Sequence, residues 1–575
     1  RYSTSTPTRA PGTPAPSGVE LLPVIEGAVN SPVLARAVAV DDWQSPAEGF
    51  DYLMVTHSTL RDAIMPLAAF HQGRGLKVAV IDVQDVYDSF NHGIVHPQAI
   101  RNLVTHASTR WPGPKPQFLL LVGDASFDIR NNTENDLRYA KFANNMHELA
   151  YSGHFAGIGG TSYAEGASKF AGRNLIPTWQ FPSPEGQSAS DNPFGIIGDG
   201  YHPTVAVGRF PVVEPSEVSA IVNKTIDYMT KPQPGSWRRD VMFITDESEH
   251  FKKSSDALAQ SIGSEGFVAE RVYASADESN NLAHQSAIKD GLNAGRLLVH
   301  FIGHGGRYIW RTGPPDIRKN HDLFTLDDVS NLTNSGRLPM VLSMTCYSAP
   351  FDNPSEDSIG ERFLREPDKG AVAVFAASWR NAPSTEFSSS LVTELLRPGA
   401  TIGEGIVRAK QSIEDRTLVE MYNLLGDPAV VLERPRDSAL MALDGDVWSP
   451  GIAVELMNAG FQGQVDLDWL DEDGDSVART SYQASESRFL LPIPTKLAKG
   501  KAVASVRLYS TDRISGRDAS AGLDLRAAAV AAESRWRWPS WLTFQRERSF
   551  GPLTEDTIAR GGFEADEEPV LVAGN

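Results

Sequence analysis

Short apolar runs alternate with amphipathic segments along most of the chain, and this alternation constrains the fold more than any other feature. The first three runs lie at 51–56 (DYLMVT), 77–81 (KVAVI) and 118–122 (FLLLV), and the segments between them carry helically spaced apolar residues. Apolar runs of this length that alternate with helices are typical of βαβ units, in which helices cover both faces of a parallel sheet. The sequence therefore predicts an α/β fold with mainly parallel sheets.

A second series of the same kind follows a Pro-rich stretch at 231–235 (KPQPG). Its predicted strands lie at 241–245, 267–272, 297–302, 340–344, 371–375 and 429–432. From about residue 440 the pattern changes to short strands separated by turns, at 465–470, 476–482, 488–493 and 502–509. Such spacing is typical of a β-sandwich, which we predict after the two α/β series.

The length and composition fit several globular domains. The chain has 575 residues, of which 41 % are hydrophobic, and this content is too high for a disordered chain. Domains of about 100–200 residues would number about three to five in such a chain. We predict an N-terminal Ser/Thr/Pro-rich arm and linker, two α/β subdomains, a β-sandwich and a C-terminal tail, at 1–49, 50–232, 233–436, 437–525 and 526–575.

Charge and hydropathy exclude two kinds of partner. The chain carries 53 Lys and Arg against 72 Asp and Glu, which gives a net charge of −19. A surface this acidic repels phosphate backbones, so we expect no nucleic acid partner. No stretch approaches the roughly 18 consecutive apolar residues of a membrane-spanning helix, so we predict no membrane span. The charge favours cationic proteins, peptides or Ca²⁺ instead.

The chain contains one cysteine, Cys346, which excludes an intrachain disulfide, a zinc–thiolate cluster and an iron–sulfur site. Cys346 follows the predicted strand 340–344, and His304, within GHGG at 303–306, follows the predicted strand 297–302. The carboxyl ends of parallel strands meet at one edge of a sheet, where ligands bind. Because an imidazole beside a thiol can take its proton and make the sulfur nucleophilic, we predict a Cys–His site at this edge.

The glycines around His304 add to this interpretation. They leave room for a substrate backbone, and they free the N–H of Gly305 to bind a developing oxyanion together with the N–H of Cys346. His304 precedes Cys346 by 42 residues, and the corresponding spacing in caspases is about 50. A turn histidine and a buried small cysteine are the structural alternatives. The position of both residues directly after apolar strands favours a catalytic pair.

On these motifs together, the chain resembles gingipain-type cysteine peptidases, family C25 of the caspase-like clan CD. The resemblance covers roughly residues 50–435, and the motifs follow one another in the order expected for the family. Besides the segments that lead into His304 and Cys346, the motifs are VGD at 122–124, DNPFGIIGDGYHPTVAVGRFPV at 191–212, DSIGERFL at 357–364, GAVAVFAASW at 370–379 and LGDP at 425–428.

The resemblance implies a secreted endopeptidase, extracellular or in the cell envelope. It would have two caspase-like α/β/α subdomains, the second one catalytic, and an immunoglobulin-like β-sandwich. Cys346 would be the nucleophile, His304 the general base or thiolate partner, and Gly305 and Cys346 the source of the oxyanion-binding N–H groups. In the family an acid after the first strand of the catalytic subdomain orients the histidine. Asp246 and Glu247 both fit, and we choose Asp246 because it comes first; capping of the following helix is the alternative role.

The resemblance also bears on substrate and ions. Family members that cleave after Arg or Lys use an acidic group in the S1 pocket, for which Glu249 and Asp256 are both candidates and Glu249 is our prediction. Trp379 is predicted either as a wall of that pocket or as ordinary packing. No cofactor is expected to be required. Ca²⁺ is frequent in the family as a structural ion, and Asp191 and Asp199 are predicted either to bind it or to stabilise turns.

Two other functions fit the same residues. A transpeptidase that processes secreted proteins would form the same thioester and let an amine replace water. A non-catalytic relative would serve as an assembly or adhesion subunit, but such a protein needs neither His304 nor Cys346. The partner that we expect is therefore a protein or peptide substrate.

Overall fold

The computed structural model describes residues 42–129, 174–263, 265–275, 281–313, 321–353, 357–444, 451–458, 460–492 and 503–525. These residues all belong to one compact unit, 42–575. The predicted tail at 526–575 and most of the predicted arm at 1–49 lie outside the described residues. The predicted boundaries between the subdomains stay predictions.

A ten-stranded sheet forms the centre of the described structure. Its strands are Tyr52–Thr56 (β1), Val78–Asp82 (β2), Phe118–Val122 (β3), Ala206–Phe210 (β6), Asp240–Thr245 (β7), Val268–Tyr273 (β8), Leu298–Ile302 (β9), Met340–Met344 (β13), Ala373–Ala377 (β14) and Tyr422–Leu425 (β15). Their order across the sheet is β2-β1-β3-β6-β15-β14-β13-β9-β7-β8. Neighbouring strands are parallel except β14 and β15, which confirms the predicted α/β fold with a mainly parallel sheet. The two predicted series share this one sheet, since β6 pairs with β15.

Helices cover both faces of the sheet. They are Arg61–Gly73 (α1), Val83–Asn91 (α2), Gln98–Thr109 (α3), Pro215–Thr230 (α4), Glu249–Gly263 (α5), Asn281–Ala294 (α6), Leu326–Ser330 (α7), Ile359–Arg365 (α8), Thr385–Leu395 (α9), Ile402–Gln411 (α10) and Arg416–Met421 (α11). In β9, Val299 and Phe301 belong to an apolar cluster with residues of α6 and α8, whereas Leu298 and Ile302 belong to a cluster with residues of α5 and α9. Both faces of the strand are therefore buried, as the continuous apolar runs predict. Within the described ranges, no helix is long and apolar enough to cross a membrane.

The C-terminal part of the described structure is all β. Its strands are Asp437–Asp444 (β16), Gly451–Leu456 (β17), Gly463–Leu470 (β18), Ser476–Ala484 (β19), Arg488–Pro492 (β20), Ser505–Asp512 (β21) and Asp518–Asp524 (β22). They form one curled sheet in the order β19-β18-β21-β22-β16-β17-β20 around a cluster that includes Leu467, Trp469 and Ile452. The sheet supports the predicted β module only in part, because a two-sheet immunoglobulin-like sandwich stays a prediction.

Three adjacent strands of the main sheet position the candidate site. β7, β9 and β13 are parallel, and their registers align Thr245 with Ile302 and Ile302 with Met344 at the carboxyl ends. The segments that follow these strands therefore leave the sheet at one edge. This is the edge at which open α/β sheets bind ligands.

Candidate active site

Asp246 and His304 form a hydrogen-bonded pair at this edge. Asp246 directly follows β7, and its Oδ2 lies 2.6 Å from His304 Nδ1 and 3.1 Å from the backbone nitrogen of His304. A carboxylate can only accept, so Nδ1 carries the hydrogen and Nε2 is left as the proton acceptor. The side chain of Asp246 is 1 % exposed and that of His304 is 46 % exposed. A buried anchor thus holds an imidazole that solvent can reach.

A short hairpin fixes the backbone of His304. His304–Gly306 (β10) pairs antiparallel with Ile309–Arg311 (β11), which in turn pairs with Asp322–Thr325 (β12). Gly305 is buried, and a Cβ at this position would lie 2.6 Å from Thr345 Oγ1. Only glycine therefore allows the hairpin to approach the Cys346 loop this closely.

Cys346 lies on the loop after β13, and its two neighbours fix that loop. The hydroxyl of Thr345 donates to the carbonyl oxygen of Gly303 at 2.7 Å, which ties the loop to the segment that leads into His304. The thiol of Cys346 is partly buried and donates to the carbonyl oxygen of Asn381 at 2.7 Å. Tyr347 has a φ of 56°, a left-handed conformation that is uncommon for a residue with a bulky side chain. Such conformations cluster at functional sites.

The registers of β9 and β13 place His304 and Cys346 at equivalent positions. Ile302 pairs with Met344, and each of the two predicted site residues lies two positions beyond the end of its strand. The structure therefore brings the imidazole, the thiol and Asp246 to one edge, in the segments that follow three adjacent strands. The roles predicted for these groups, and for the N–H groups of Gly305 and Cys346, stay predictions.

An aromatic and cationic wall stands beside Cys346. The ring of Tyr347 is edge-on to that of Trp379, with centroids 4.9 Å apart, and the guanidinium of Arg307 lies over its face at 5.0 Å. The indole N–H of Trp379 donates to the carbonyl oxygen of Glu185 in the turn between Trp179–Ser183 (β4) and Gly186–Ser190 (β5). Trp379 thus lies next to the Cys346 loop, and its role as a pocket wall or as ordinary packing stays a prediction.

The other predicted acids have partners away from this pair. Glu249 begins α5, is 75 % exposed and forms an ion pair with Lys252 at 2.9 Å. Asp256 accepts from Arg271 and from the hydroxyl of Tyr273. The structure does not place either carboxylate in contact with the His304 or Cys346 side chains.

The predicted calcium ligands do not form a metal site in the described structure. The carboxylate of Asp191 is buried and binds Arg209 through two hydrogen bonds of 2.6 and 2.8 Å, and it also accepts from Thr178. Asp199 lies in an exposed bend. Among the described residues, no group of three or more His, Cys, Asp or Glu is arranged to hold a metal ion. Because Arg209 already neutralises Asp191, this carboxylate does not fit a calcium site.

Sequence reasoning missed two residues near the thiol, Asn381 and Tyr422. Asn381 accepts the thiol hydrogen through its backbone, and its side-chain oxygen accepts from Tyr422 at 3.1 Å. Burial, and next the nearby Cys346, raises the pKa of Tyr422 well above its usual range, so the phenol remains a donor. Asn381 lies four residues after β14, and the rule that singled out His304 and Cys346 applies to this strand end too.

A thiol and an imidazole bound to a carboxylate, which meet at this edge, are the side chains that cysteine peptidases use. A model of peptidase family C25 matches residues 45–433, more than half of the chain. The chain therefore belongs to peptidase family C25, as its motifs predict.

Individual relatives are distant. Gingipain R2 and gingipain R1 of Porphyromonas gingivalis are each 24 % identical to this chain over 172 residues, which are 28 % of this chain and 22 % and 16 % of the relatives. The chain thus matches less than a quarter of their length. The crystal structure of the Arg-specific cysteine proteinase gingipain R (RgpB) superposes with a TM-score of 0.52 at 16 % identity, covering 85 % of this chain and 100 % of that one. A complex of the RgpB pro- and mature domains gives 0.52 at 15 % identity, covering 82 % and 99 %. These structures show that the fold is shared.

Proposed function

We propose that this chain is a cysteine endopeptidase in which Cys346 is the nucleophile, His304 the general base and acid, and Asp246 the group that orients the histidine. The observation that carries the proposal is the bond of 2.6 Å between His304 Nδ1 and the buried Asp246. His304 follows β9, the strand that lies between β7, which leads to Asp246, and β13, which leads to Cys346. Asp246 also accepts from the N–H of Ser248 through Oδ1, while Oδ2 accepts from the imidazole, so both bonds form together.

The reaction divides into two acyl transfers. His304 Nε2 takes the proton of Cys346, and the thiolate attacks the scissile carbonyl carbon. The oxyanion would accept from the N–H groups of Gly305 and Cys346 until the C–N bond breaks and His304 returns its proton to the leaving amine. Water, deprotonated by His304, then attacks the thioester, which releases the acid and restores the thiol.

For the substrate, we propose a peptide whose side chain contacts Trp379 beside the Cys346 loop. Gingipain R is described as Arg-specific, and Glu249 is our candidate for binding a basic side chain. Such a side chain would have to displace Lys252 from Glu249. We also propose that the protein acts outside the cell or in the cell envelope, because the family that it resembles is secreted.

Alkylation and peptide hydrolysis test this function together. Iodoacetamide should label Cys346 rapidly at neutral pH in the full chain, and labelling should slow in His304→Ala because the thiolate loses its partner. A fluorogenic peptide library should be cleaved by the wild type and not by Cys346→Ser. Equally slow labelling in the wild type and His304→Ala, with no cleavage, would indicate a non-catalytic subunit.

An added amine separates hydrolysis from transpeptidation. Both reactions pass through the same thioester, so the products decide between them. With glycinamide present, mass spectrometry should find mainly free carboxyl products for an endopeptidase. A majority of amide-linked product would instead identify a transpeptidase.

A further inference from the structure

The segment 379–381, which follows β14, holds the loop that carries Cys346. The thiol of Cys346 donates to the carbonyl oxygen of Asn381 at 2.7 Å, and the N–H of Tyr347 donates to the carbonyl oxygen of Trp379 at 3.0 Å. Two consecutive residues of the Cys346 loop are thus bound to backbone carbonyls of one segment. The orientation of the thiol therefore depends on where this segment lies.

The side chain of Asn381 fixes the segment. Its amide nitrogen donates to the carbonyl oxygens of Trp379 and Thr345 at 3.2 and 3.5 Å, and its amide oxygen accepts from the hydroxyl of Tyr422 at 3.1 Å. Tyr422 is fully buried, and its ring stacks on that of Phe375 with centroids 5.7 Å apart. The phenol is therefore a rigid donor inside the core, to which the exposed edge is tethered.

A carbonyl oxygen can only accept, so its bond to Cys346 requires a hydrogen on the sulfur. A thiolate in the same place would face the negative end of the carbonyl dipole. We propose that Asn381, held in place by Tyr422, is a positioning residue for the Cys346 thiol: its carbonyl keeps the proton on the sulfur until the segment 379–381 shifts. When the bond breaks, the proton passes from sulfur to His304 Nε2, which leaves a thiolate and an imidazolium.

This inference rests on the proposed role of Cys346 as the nucleophile, and it suggests how substrate would act on the thiol. Trp379 belongs to the same segment, so a substrate side chain that contacts the indole would shift the segment and move the carbonyl of Asn381 away from the thiol. The charged and titratable groups around the thiol belong to several elements: His304 with Asp246, Arg307 over the ring of Tyr347, Arg380 within the segment, and Tyr422. The two variants that test the positioning role, Tyr422→Phe and Asn381→Ala, change none of these groups except the phenol itself.

Tyr422→Phe tests the tether because it removes one hydroxyl and keeps the buried ring. Iodoacetamide alkylation of Cys346 is measured from pH 5 to 9.5 in the full chain. Loss of one neutral hydrogen bond corresponds to about a three- to tenfold change, so labelling at pH 7 should accelerate by about that factor. The pH at half-maximal labelling should fall by about 0.5–1. Tyr228→Phe is the matched control: it also removes a buried hydroxyl, one that accepts from the N–H of Glu433, and it should keep the wild-type profile.

Asn381→Ala removes the hydrogen bonds of the side-chain amide to Trp379, Thr345 and Tyr422. It provides a second test of the positioning role if Tyr422→Phe unfolds. It should accelerate labelling at least as much as Tyr422→Phe does. Superimposable profiles of both variants and the wild type, with thermal unfolding showing folded proteins, would overturn the positioning role. If His304→Ala slows labelling in that same series, Cys346 remains the proposed nucleophile and only the positioning role fails. If His304→Ala has no effect either, the proposed function fails as well.

Discussion

His300 and His304 are four residues apart and have opposite environments. His304 reaches solvent and bonds to Asp246, whereas His300 is fully buried within β9 with its ring beside Phe243. Among the described residues, neither ring nitrogen of His300 has a hydrogen-bond partner. Burial lowers the pKa of His300 to about 4, so it is neutral near pH 7. The environment of each side chain, and not the residue type, decides which imidazole can transfer protons.

Asp246→Asn should show how much activity depends on the orientation of the imidazole, because the variant keeps His304 and changes only the partner of its Nδ1. An amide can donate to Nδ1 and so favour the tautomer whose Nε2 carries the hydrogen, which cannot take a proton from Cys346. We expect kcat for peptide hydrolysis to fall about 10²- to 10⁴-fold, as for other histidines that lose an orienting carboxylate. The matched control is Glu247→Gln, at the next position, which should leave kcat nearly unchanged. A larger loss in Glu247→Gln would show that the orienting acid is Glu247.

His300→Leu should stabilise the protein most in acid. The pKa of His300 is lower in the folded state, so the unfolded state binds the proton first, and the folded state loses stability as the pH falls below about 6.5. Down to pH 4 this loss should amount to about 3 kcal/mol. His300→Leu should remove it from urea unfolding curves measured between pH 4 and 7. Leu342→Met, at the paired position on β13, is the control and should keep the wild-type pH dependence; equal slopes in wild type and His300→Leu would contradict the prediction.

The strands that lead to the site were predictable from the sequence because their apolar runs are continuous. The predicted strands at 118–122 and 340–344 coincide with β3 and β13. The predicted strand at 371–375 begins two residues before β14, at a point where the N–H of Ala371 donates to the carbonyl oxygen of Phe363. Runs that stay apolar at both ends do not mark where a strand begins or ends, and tertiary contacts then decide its bounds.

Contacts between the segments that follow the strands were predictable only where reactive side chains take part in them. Reactive side chains after two apolar strands were enough to pair His304 with Cys346 at one edge. The acceptor of the thiol hydrogen is a backbone carbonyl, which every residue has, so no residue type signals the role of Asn381. The pairing of β6 with β15 joins residues more than 200 positions apart, and local patterns do not encode it.

Gly305→Ala should disturb the hairpin that carries His304. A Cβ at this position would lie 2.6 Å from Thr345 Oγ1 and 3.2 Å from the carbonyl oxygen of Ile309, so β10 must move away from the Cys346 loop. We expect a loss of about 1–3 kcal/mol in the free energy of unfolding and a clear fall in kcat. Gly306→Ala is the control, because its Cβ would meet nothing closer than 3.7 Å. Equal effects of the two variants would show that the close approach at Gly305 is unimportant.

Buried ion pairs join the main sheet to the β module. Arg239, next to β7, pairs with Asp468 on β18, and both side chains are almost fully buried. Arg238 pairs with Asp518 on β22 at 2.5 Å. Buried charges are expensive to separate from their partners, so these pairs favour one arrangement of the two parts. The strand that leads to Asp246 thus begins at this junction and ends at the candidate site.

Asp240 makes the junction sensitive to pH. It begins β7, lines a cavity of about 640 Å³ between the main sheet and the β module, and lies 3.6 Å from Arg479 on β19. Burial, and next the charge of Asp468, raises the pKa of Asp240 to about 6. The folded state therefore holds this proton more tightly than the unfolded state does. Stability should fall as the pH rises from about 4 to about 6 and stay lower above that range.

Asp240→Asn should remove this penalty, since the amide cannot ionise and fills the same space. We expect the variant to be more stable than the wild type by about 1–3 kcal/mol at pH 7.5 and to differ little at pH 4. Asp437→Asn, which breaks a partly exposed pair with Arg517, is the control and should change stability by at most about 1 kcal/mol. Denaturant unfolding at the two pH values measures both variants. If Asp240→Asn is instead less stable than the wild type at pH 7.5, the prediction is wrong. The attraction between ionised Asp240 and Arg479 would then stabilise the folded state by more than the burial of Asp240 beside Asp468 destabilises it.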